Sequence, residues 1–243
     1  MDNVKDYVEL VKAPWGRMFY DLLFAQLNIP QTPRLKILDF GSGLGVTANY
    51  FANWHDVTAI EPNTEMIENR YRQNCYTQIC GGIEKLSEFK DGSFHFVFCH
   101  NVLEYIEEKE PVFAELVRLL ASDGILSIVK HNQAGKVFQT AVFKNDPKKA
   151  LTMLNSHANE KSNYLGTQYL YSNSHASDLV SRSGGKIQKV FGMRNFWALG
   201  QDNSIKYSGD WYQNMLTLEC EVADMDEYKQ TAFYNHLLIG QSK

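Results

Sequence analysis

Short apolar runs alternate with amphipathic stretches along the first half of the chain. Runs that are short, rich in branched and aromatic residues and bounded by Gly, Pro, Asn or Asp predict buried strands. The five predicted strands are Leu35–Phe40, Asp56–Ile60, Tyr76–Cys80, Ser93–Cys99 and Ile125–Val129. Apolar residues at helical spacing, as in Val46–Asn53 and Pro111–Leu120, predict helices between them, and Asp123 and Gly124 predict a turn before the fifth strand. This alternation predicts an α/β fold: a Rossmann-like, seven-stranded, mostly parallel sheet with helices on both faces.

The pattern weakens after Asn132, where the chain becomes polar and rich in Lys, and we interpret this stretch as an inserted helical cap. Regular periodicity returns near Ala176, and the chain closes on a predicted strand, Tyr234–Gly240. The predicted organisation is therefore an N-terminal helical segment (1–34), a cofactor-binding core (35–132), a cap insertion (133–172) and a C-terminal completion of the same sheet (173–243).

Composition narrows the class of protein. The chain has 243 residues, 44% of them hydrophobic, which suffices for one large domain, and its net charge of −4 does not indicate a general nucleic-acid or membrane binder. The four cysteines form no CxxC pair, so neither a disulfide framework nor a metal site is expected. The chain starts without a basic, apolar leader and contains no apolar run of about 20 residues, so we expect a cytoplasmic protein without a membrane segment.

The strongest chemical signal is the segment DFGSGLG, Asp39 to Gly45, where the first strand turns into its helix. Gly41 and Gly43 let the backbone approach a ligand closely, and the carboxyl edge of a parallel sheet is where ligands bind. A dinucleotide fingerprint would place a third glycine at Val46. The observed spacing behind an acid favours S-adenosylmethionine over NAD.

Two acids follow at the ends of the next strands. Glu61 ends the second strand and is expected to accept hydrogen bonds from ribose hydroxyls; it also suits a cap for the helix beginning near Pro62. After the third strand, Glu84 is a candidate for the adenine amino group and Ile83 for packing on the ring. An exposed loop acid is the alternative for Glu84.

His100 ends the fourth strand at the same predicted edge. A lone loop histidine is commonly a solvated polar residue, but this position also suits a contact with a ligand in the crevice.

Together these segments resemble the class I S-adenosylmethionine-dependent methyltransferases. The resemblance is carried by DFGSGLG, IEP, GGIEKL, HNVLEYI and DGILSIV, in that order, over Leu35 to Val129. It implies a seven-stranded sheet whose last strand inserts antiparallel. It also implies that Asp39, Gly41, Ser42 and Gly43 lie around the cofactor's amino-acid part and that Glu61 binds its ribose; we expect Gly45, in the same turn, to belong to the cofactor site.

A narrower resemblance is to the bacterial tRNA 5-carboxymethoxyuridine methyltransferases, which convert a wobble-uridine carboxylate into its methyl ester. FCHNVLEYI, LSIVKHNQAG and FGMRNF carry it. It implies that Arg17 and His100 contact the cofactor and that Arg194 lies near the acceptor. Two departures accompany it, because Ser42 stands where the family often has Gly and the cap is weakly similar.

Charge distribution agrees with an anionic acceptor such as tRNA. Residues 136–194 carry a net +6 and the rest of the chain −10, although charged segments are commonly just solvated faces. We expect Arg194, His131 and Asn132 to position the acceptor. If the acceptor were a hydroxyl or an amine, His100 or His131 would be a plausible base. A small-molecule acceptor, a non-catalytic adenosylmethionine-binding protein and, least favoured, an NAD oxidoreductase are the alternatives; the oligomeric state stays open.

Overall fold

The computed structural model describes residues 3–155, 160–162 and 166–242, and its main element is a seven-stranded sheet. The strands of this sheet are β1 (Lys36–Phe40), β2 (Asp56–Glu61), β3 (Thr77–Cys80), β4 (Phe94–His100), β5 (Leu120–His131), β8 (Gly185–Met193) and β9 (Tyr234–Gln241). Their order is β3-β2-β1-β4-β5-β9-β8, and the four pairings from β3 to β5 are parallel. The predicted seven-stranded, mostly parallel fold is confirmed. Two short strands, β6 (Glu160–Ser162) and β7 (Gly166–Gln168), pair antiparallel in a separate sheet.

Ten α-helices connect these strands in the described residues. They are α1 (Asn3–Lys12), α2 (Pro14–Leu27), α3 (Val46–Phe51), α4 (Thr64–Glu68), α5 (Glu110–Arg118), α6 (Gln133–Phe138), α7 (Pro147–Asn155), α8 (Asn173–Arg182), α9 (Gly209–Val222) and α10 (Asp226–Lys229). Local chemistry explains several ends: Pro14 opens α2, and the Asn63 side chain accepts from the first N–H groups of α4. None of these helices is both long and apolar enough to cross a membrane.

The strand order reverses between β1 and β4, which defines the crevice where open α/β sheets bind ligands. The register brings the carboxyl ends of the central strands level: Asp39 lies beside Phe98 and Ala59, and His100 beside Val129. Asp39, Glu61 and His100 therefore lie at one edge of the sheet.

The predicted turn at Asp123 and Gly124 is wrong, because β5 runs through both residues as one strand. The register with β4 shifts there: Phe94 pairs with Leu120, but Phe96 pairs with Ile125. A Cβ on Gly124 would lie about 3.0 Å from backbone atoms of Ala121. The glycine therefore serves a close backbone approach in a bulged strand instead of a chain reversal.

The chain divides into two compact units. The core unit comprises residues 29–129, 173–189 and 237–243, and residues such as Ile37, Val97 and Phe98 form its fully buried centre. The helical unit comprises residues 1–28, 130–172 and 190–236, and its buried centre includes Leu22 and Trp197.

Candidate functional site

Three glycines give the β1–α3 loop its path. Gly41, Gly43 and Gly45 have φ of 72°, 52° and 65°, the left-handed region that other residues rarely adopt. The amides of Gly41 and Ser42 both donate to the Ile60 carbonyl, at 2.8 and 3.0 Å, and Gly45 donates to Ser42. The loop is thereby fixed to the end of β2.

A Cβ atom placed on each of these three glycines would meet different surroundings. On Gly41 a Cβ would collide with Val102, and on Gly45 with the Tyr76 hydroxyl, so both glycines serve packing within the protein. On Gly43 it would meet no atom within 4 Å. Gly43 therefore turns a bare backbone surface toward open space at the carboxyl edge of the sheet.

Glu61 is joined directly to this glycine loop. One carboxylate oxygen accepts from the Gly43 amide at 2.8 Å, and the other accepts from the Asn63 amide at 2.9 Å. Burial raises the pKa of Glu61, and these two hydrogen bonds oppose the rise. Each oxygen keeps a further lone pair, so the carboxylate can still accept hydrogen bonds from a ligand.

Asp39 is the more constrained of the two acids. Its side chain is only 3% exposed, and Oδ2 is buried without a hydrogen-bond partner in the part of the chain that the structure describes. Burial, opposed by a hydrogen bond from the Ala48 amide and aided by the negative charge of Glu61, raises its pKa to about 7. A buried acid beside a second acid favours a ligand that brings positive charge or hydrogen-bond donors.

Two further buried acceptors lie at this edge. Among the described residues, neither the Ser42 hydroxyl nor the Asn101 Oδ1 has a hydrogen-bond partner. Asn101 directly follows β4 and has a left-handed φ of 56°. Asn101 was not singled out from the sequence, although Asn at a strand end is a residue type that tolerates this conformation.

Three further predicted cofactor contacts, His100, Ile83 and Glu84, also belong to the core unit. His100 lies within 2.8 Å of the Ser127 hydroxyl through Nε2 and stacks on Phe98. Ile83 is exposed, and the exposed Glu84 accepts from the Gly82 amide at 2.8 Å, where it caps a short 3-10 turn. Their roles toward a ligand stay predictions.

This set of groups fits S-adenosylmethionine better than a dinucleotide. The loop amides of Gly41, Ser42, Gly43 and Gly45 are already bonded within the protein, whereas Asp39 and Glu61 offer carboxylates. A ligand with an ammonium, a sulfonium and a ribose diol matches carboxylates, while a pyrophosphate would be repelled by them.

Residues 38–128 match the methyltransferase domain family, over the same span that carries the glycine loop and the acids. This stretch of the chain is thus similar to a methyltransferase domain. Solved structures that are similar to the chain include S-adenosylmethionine-dependent methyltransferases.

Relatives of the methyltransferase domain agree on the fold and differ in what they act on. The human thiol S-methyltransferase TMT1A is 27% identical over 106 residues, which is 40% of this chain and 43% of that protein. The chain thus spans less than half of this curated relative. A solved S-adenosylmethionine-dependent methyltransferase from Thermotoga maritima has a TM-score of 0.63 at 16% identity, covering 99% of this chain and 96% of the other.

A chain from the complex between the Haloferax volcanii Trm112 methyltransferase activator and a methyltransferase is similar to the same degree. Its TM-score is 0.63 at 12% identity, again with 99% and 96% coverage. At these identities the likenesses show the fold, and the acceptor has to be argued from the chain itself.

Four predicted residues lie in the helical unit, outside the methyltransferase domain. Arg17 is exposed, stacks over the Tyr212 ring at 4.3 Å and lies 3.6 Å from the Asp21 carboxylate. Asn132 is buried, and its side-chain amide donates to the carbonyls of Gln230 and Ala232. In this structure Asn132 therefore holds a loop.

Arg194 and His131 both lie beside the aromatic rings of Phe233 and Tyr234. The guanidinium of Arg194 lies 5.2 and 5.5 Å from the ring centroids of Phe233 and Tyr234, and the His131 ring lies 5.3 and 4.6 Å from the same centroids. Arg194 is also held at a left-handed φ of 60°. The structure thus gathers two of the three predicted acceptor residues around Phe233 and Tyr234.

The raised pKa of Asp39 predicts a pH dependence of cofactor binding. Ionised Asp39 attracts a cationic cofactor, so affinity for S-adenosylmethionine should rise roughly tenfold as pH increases from about 6 to about 8, through the pKa near 7. Calorimetry over this range, with Asp39→Asn as the control, measures the effect. The cofactor's own titration is common to both proteins, so equal slopes would contradict the prediction.

The same pKa fixes the sign of a stability effect without cofactor. An acid with a raised pKa binds more protons in the folded than in the unfolded state, so its contribution to stability is greatest at low pH and is lost as pH rises toward about 7. Asp39→Asn should reduce this decline.

Proposed function

We propose that this protein transfers the methyl group of S-adenosylmethionine to an acidic acceptor, and that a wobble-uridine carboxylate of tRNA is the acceptor to test first. The observation that carries the methyltransferase proposal is the edge formed by bare Gly43, Glu61 bonded to its amide, and Asp39, whose Oδ2 has no hydrogen-bond partner among the described residues. These groups suit a cationic nucleoside.

An acidic acceptor is supported by residues of the helical unit. Arg194 is buried, and its Nε has no hydrogen-bond partner among the described residues. A buried guanidinium with an unused donor suits a carboxylate or a phosphate. The net +6 of residues 136–194 and the FGMRNF segment agree with a tRNA acceptor.

For methyl transfer, the protein mainly has to orient the methyl donor and the acceptor. S-adenosylmethionine supplies a methyl group on a positively charged sulfur, which a nucleophile displaces in line. A carboxylate acceptor is already ionised at neutral pH and needs no general base. Asp39, Glu61 and the Gly43 backbone would hold the cofactor, and Arg194 would orient the acceptor. Well-oriented reactants gain about 7 to 11 kcal/mol from such positioning.

Methyl transfer can be tested on defined acceptors. The purified protein is incubated with labelled S-adenosylmethionine and tRNA from a strain lacking this protein, and the nucleosides are analysed by mass spectrometry. We expect label in a methyl ester of a wobble uridine. Label that appears in small acids but never in tRNA would overturn the tRNA acceptor and leave the methyltransferase proposal standing.

A thiol acceptor is the second candidate, because the human relative is a thiol S-methyltransferase. The same incubation with a small alkyl thiol separates the two candidates. Thiol methylation without ester formation would favour this second acceptor.

A further inference from the structure

Two buried cations of the helical unit, Arg194 and Lys206, both lie against the ring of Trp15. The guanidinium carbon of Arg194 lies 4.2 Å from the centroid of the Trp15 ring, and the Lys206 ammonium lies 4.5 Å from it. Arg194 is 4% exposed and Lys206 2% exposed. Both positive charges are thus removed from water at the same indole, although Lys206 was not singled out from the sequence.

Glu219 is the carboxylate whose charge acts on Arg194, but its oxygens already accept hydrogen bonds from other groups. Glu219 is fully buried, and each of its oxygens accepts two hydrogen bonds from the loop after Arg194. The donors are the backbone amides of Asn195, Phe196 and Trp197 and the side-chain amide of Asn195, at 2.7 to 3.3 Å. A carboxylate has about four lone-pair sites, so Glu219 lowers the local positive potential but has no site left for Arg194.

Lys206 also has no bound counter-ion among the residues that the structure describes. Its ammonium donates to the Gly200 carbonyl and to Asn203 Oδ1, both at 2.9 Å, and both acceptors are neutral. An ammonium has three donors, so one remains. Asp202 raises the pKa of Lys206 from a distance, but its carboxylate is exposed and bonded to Ser204.

The electrostatic consequence appears in the pKa of Lys206. Burial and, to a smaller extent, the neighbouring charge of Arg194 together lower this pKa to about 8. Burial likewise lowers the pKa of Arg194. Two buried like charges without a paired anion are unfavourable unless a ligand compensates them.

The cluster is not sealed from solvent. Trp15 and Phe143, whose rings lie 4.5 and 5.2 Å from the Lys206 ammonium, are half-buried. Ile205 and Tyr207, on either side of Lys206, are exposed. A ligand would have to reach the cluster past these side chains.

We propose that Lys206 and Arg194 form a two-cation site at Trp15 that binds one oxyanionic group, a carboxylate or a phosphate, of the molecule that the protein methylates. The unused donors are Arg194 Nε and the third N–H of the Lys206 ammonium. This inference rests on the proposed function for its biological meaning, because it makes Lys206 a residue that selects acidic acceptors. Binding of the anion itself does not depend on that function.

Titrations without S-adenosylmethionine test the site. The full chain is titrated with phenylacetate, phenyl phosphate and the neutral phenylacetamide, and tryptophan fluorescence reports binding near Trp15. We expect the anions to bind at least tenfold more tightly than the amide, since charge-assisted hydrogen bonds contribute roughly 1.5 to 3 kcal/mol. Whichever anion binds more tightly identifies the source of the oxyanion.

Lys206→Met and Lys144→Met form the matched pair of variants. Lys144 is exposed and follows Phe143, so its replacement removes the same charge outside the cluster. Lys206→Met should weaken anion binding roughly tenfold or more, Lys206→Arg should restore part of it, and Lys144→Met should leave it unchanged. Without anion, Lys206→Met should keep or raise the melting temperature, because a methionine fills the aromatic surroundings without a buried charge.

Several outcomes would overturn the inference. These are equal affinity for phenylacetamide and the anions, undiminished anion binding in Lys206→Met, or a lowered melting temperature of that variant with anion affinity intact, which would mark a purely structural lysine. Failure of the proposed function looks different. Lys206-dependent anion binding without methyl transfer to any acid would refute that function alone, and acid methylation by Lys206→Met at an unchanged KM would refute this inference alone.

Discussion

Gly43→Leu should weaken the binding of S-adenosylmethionine by roughly a hundredfold or more while the chain stays folded. A Cβ at this position meets no protein atom within 4 Å, so the side chain starts in open space. It would instead occupy the surface where the cofactor is expected to lie beside Glu61, and loss of that close approach costs several kcal/mol of binding. Calorimetry with S-adenosylmethionine measures the loss.

Gly184→Leu is the control for backbone strain. Gly184 also has a left-handed φ, 75°, and a Cβ there would also meet nothing within 4 Å. Each substitution forces a leucine into the left-handed region, at about 1 to 2 kcal/mol of stability. We expect both variants to lose similar stability and only Gly43→Leu to lose cofactor binding. Normal affinity in Gly43→Leu would place the cofactor elsewhere.

The parts of the fold that local patterns determine were predicted well. Buried parallel strands are short apolar runs, so β1, β2 and β4 begin and end within a residue or two of the prediction. The DFGSGLG turn combines a strand end, left-handed glycines and a helix start in seven residues, so its backbone was predictable from residue types alone.

Other elements were predicted only coarsely or wrongly. Helix α1 is amphipathic and buries Val4 and Val11, but it was predicted only as part of the N-terminal helical segment (1–34). The bulge in β5 was predicted as a turn because Asp and Gly, here Asp123 and Gly124, favour turns when no neighbouring strand pairs with them. Pairing with β4 decides the outcome there, and that pairing is not local.

The residues of the candidate sites also differ in how well the sequence could predict them. Asp39 lies near the end of β1 and Glu61 ends β2, so both could be placed by counting, whereas the position of Asn101 depends on the left-handed turn after β4. Glu219 and Lys206 lie on polar stretches of the C-terminal region, where an acid and a lysine ordinarily indicate a solvated surface. Only the tertiary structure shows that both are buried.

Glu219→Ala should lower the free energy of unfolding by about 3 kcal/mol or more. The substitution leaves the amides of Asn195, Phe196 and Trp197 without their acceptor, and each buried unsatisfied donor costs about 1 to 3 kcal/mol. Chemical denaturation measures the loss. Glu221→Ala on the same helix is the control, because Glu221 is exposed and its replacement should change stability little.

Glu219→Gln separates the hydrogen bonds of this residue from its charge. The amide keeps one oxygen acceptor but turns an NH₂ group toward an N–H donor, so its stability should fall between those of the native protein and Glu219→Ala. Because the carboxylate is filled by the loop amides, most of the loss should persist when Arg194 is also replaced by methionine. If the loss disappeared in that double variant, Glu219 would be the counter-ion of Arg194. The charge of Arg194 would then already be neutralised within the protein, and Arg194 would not be available to an anionic ligand.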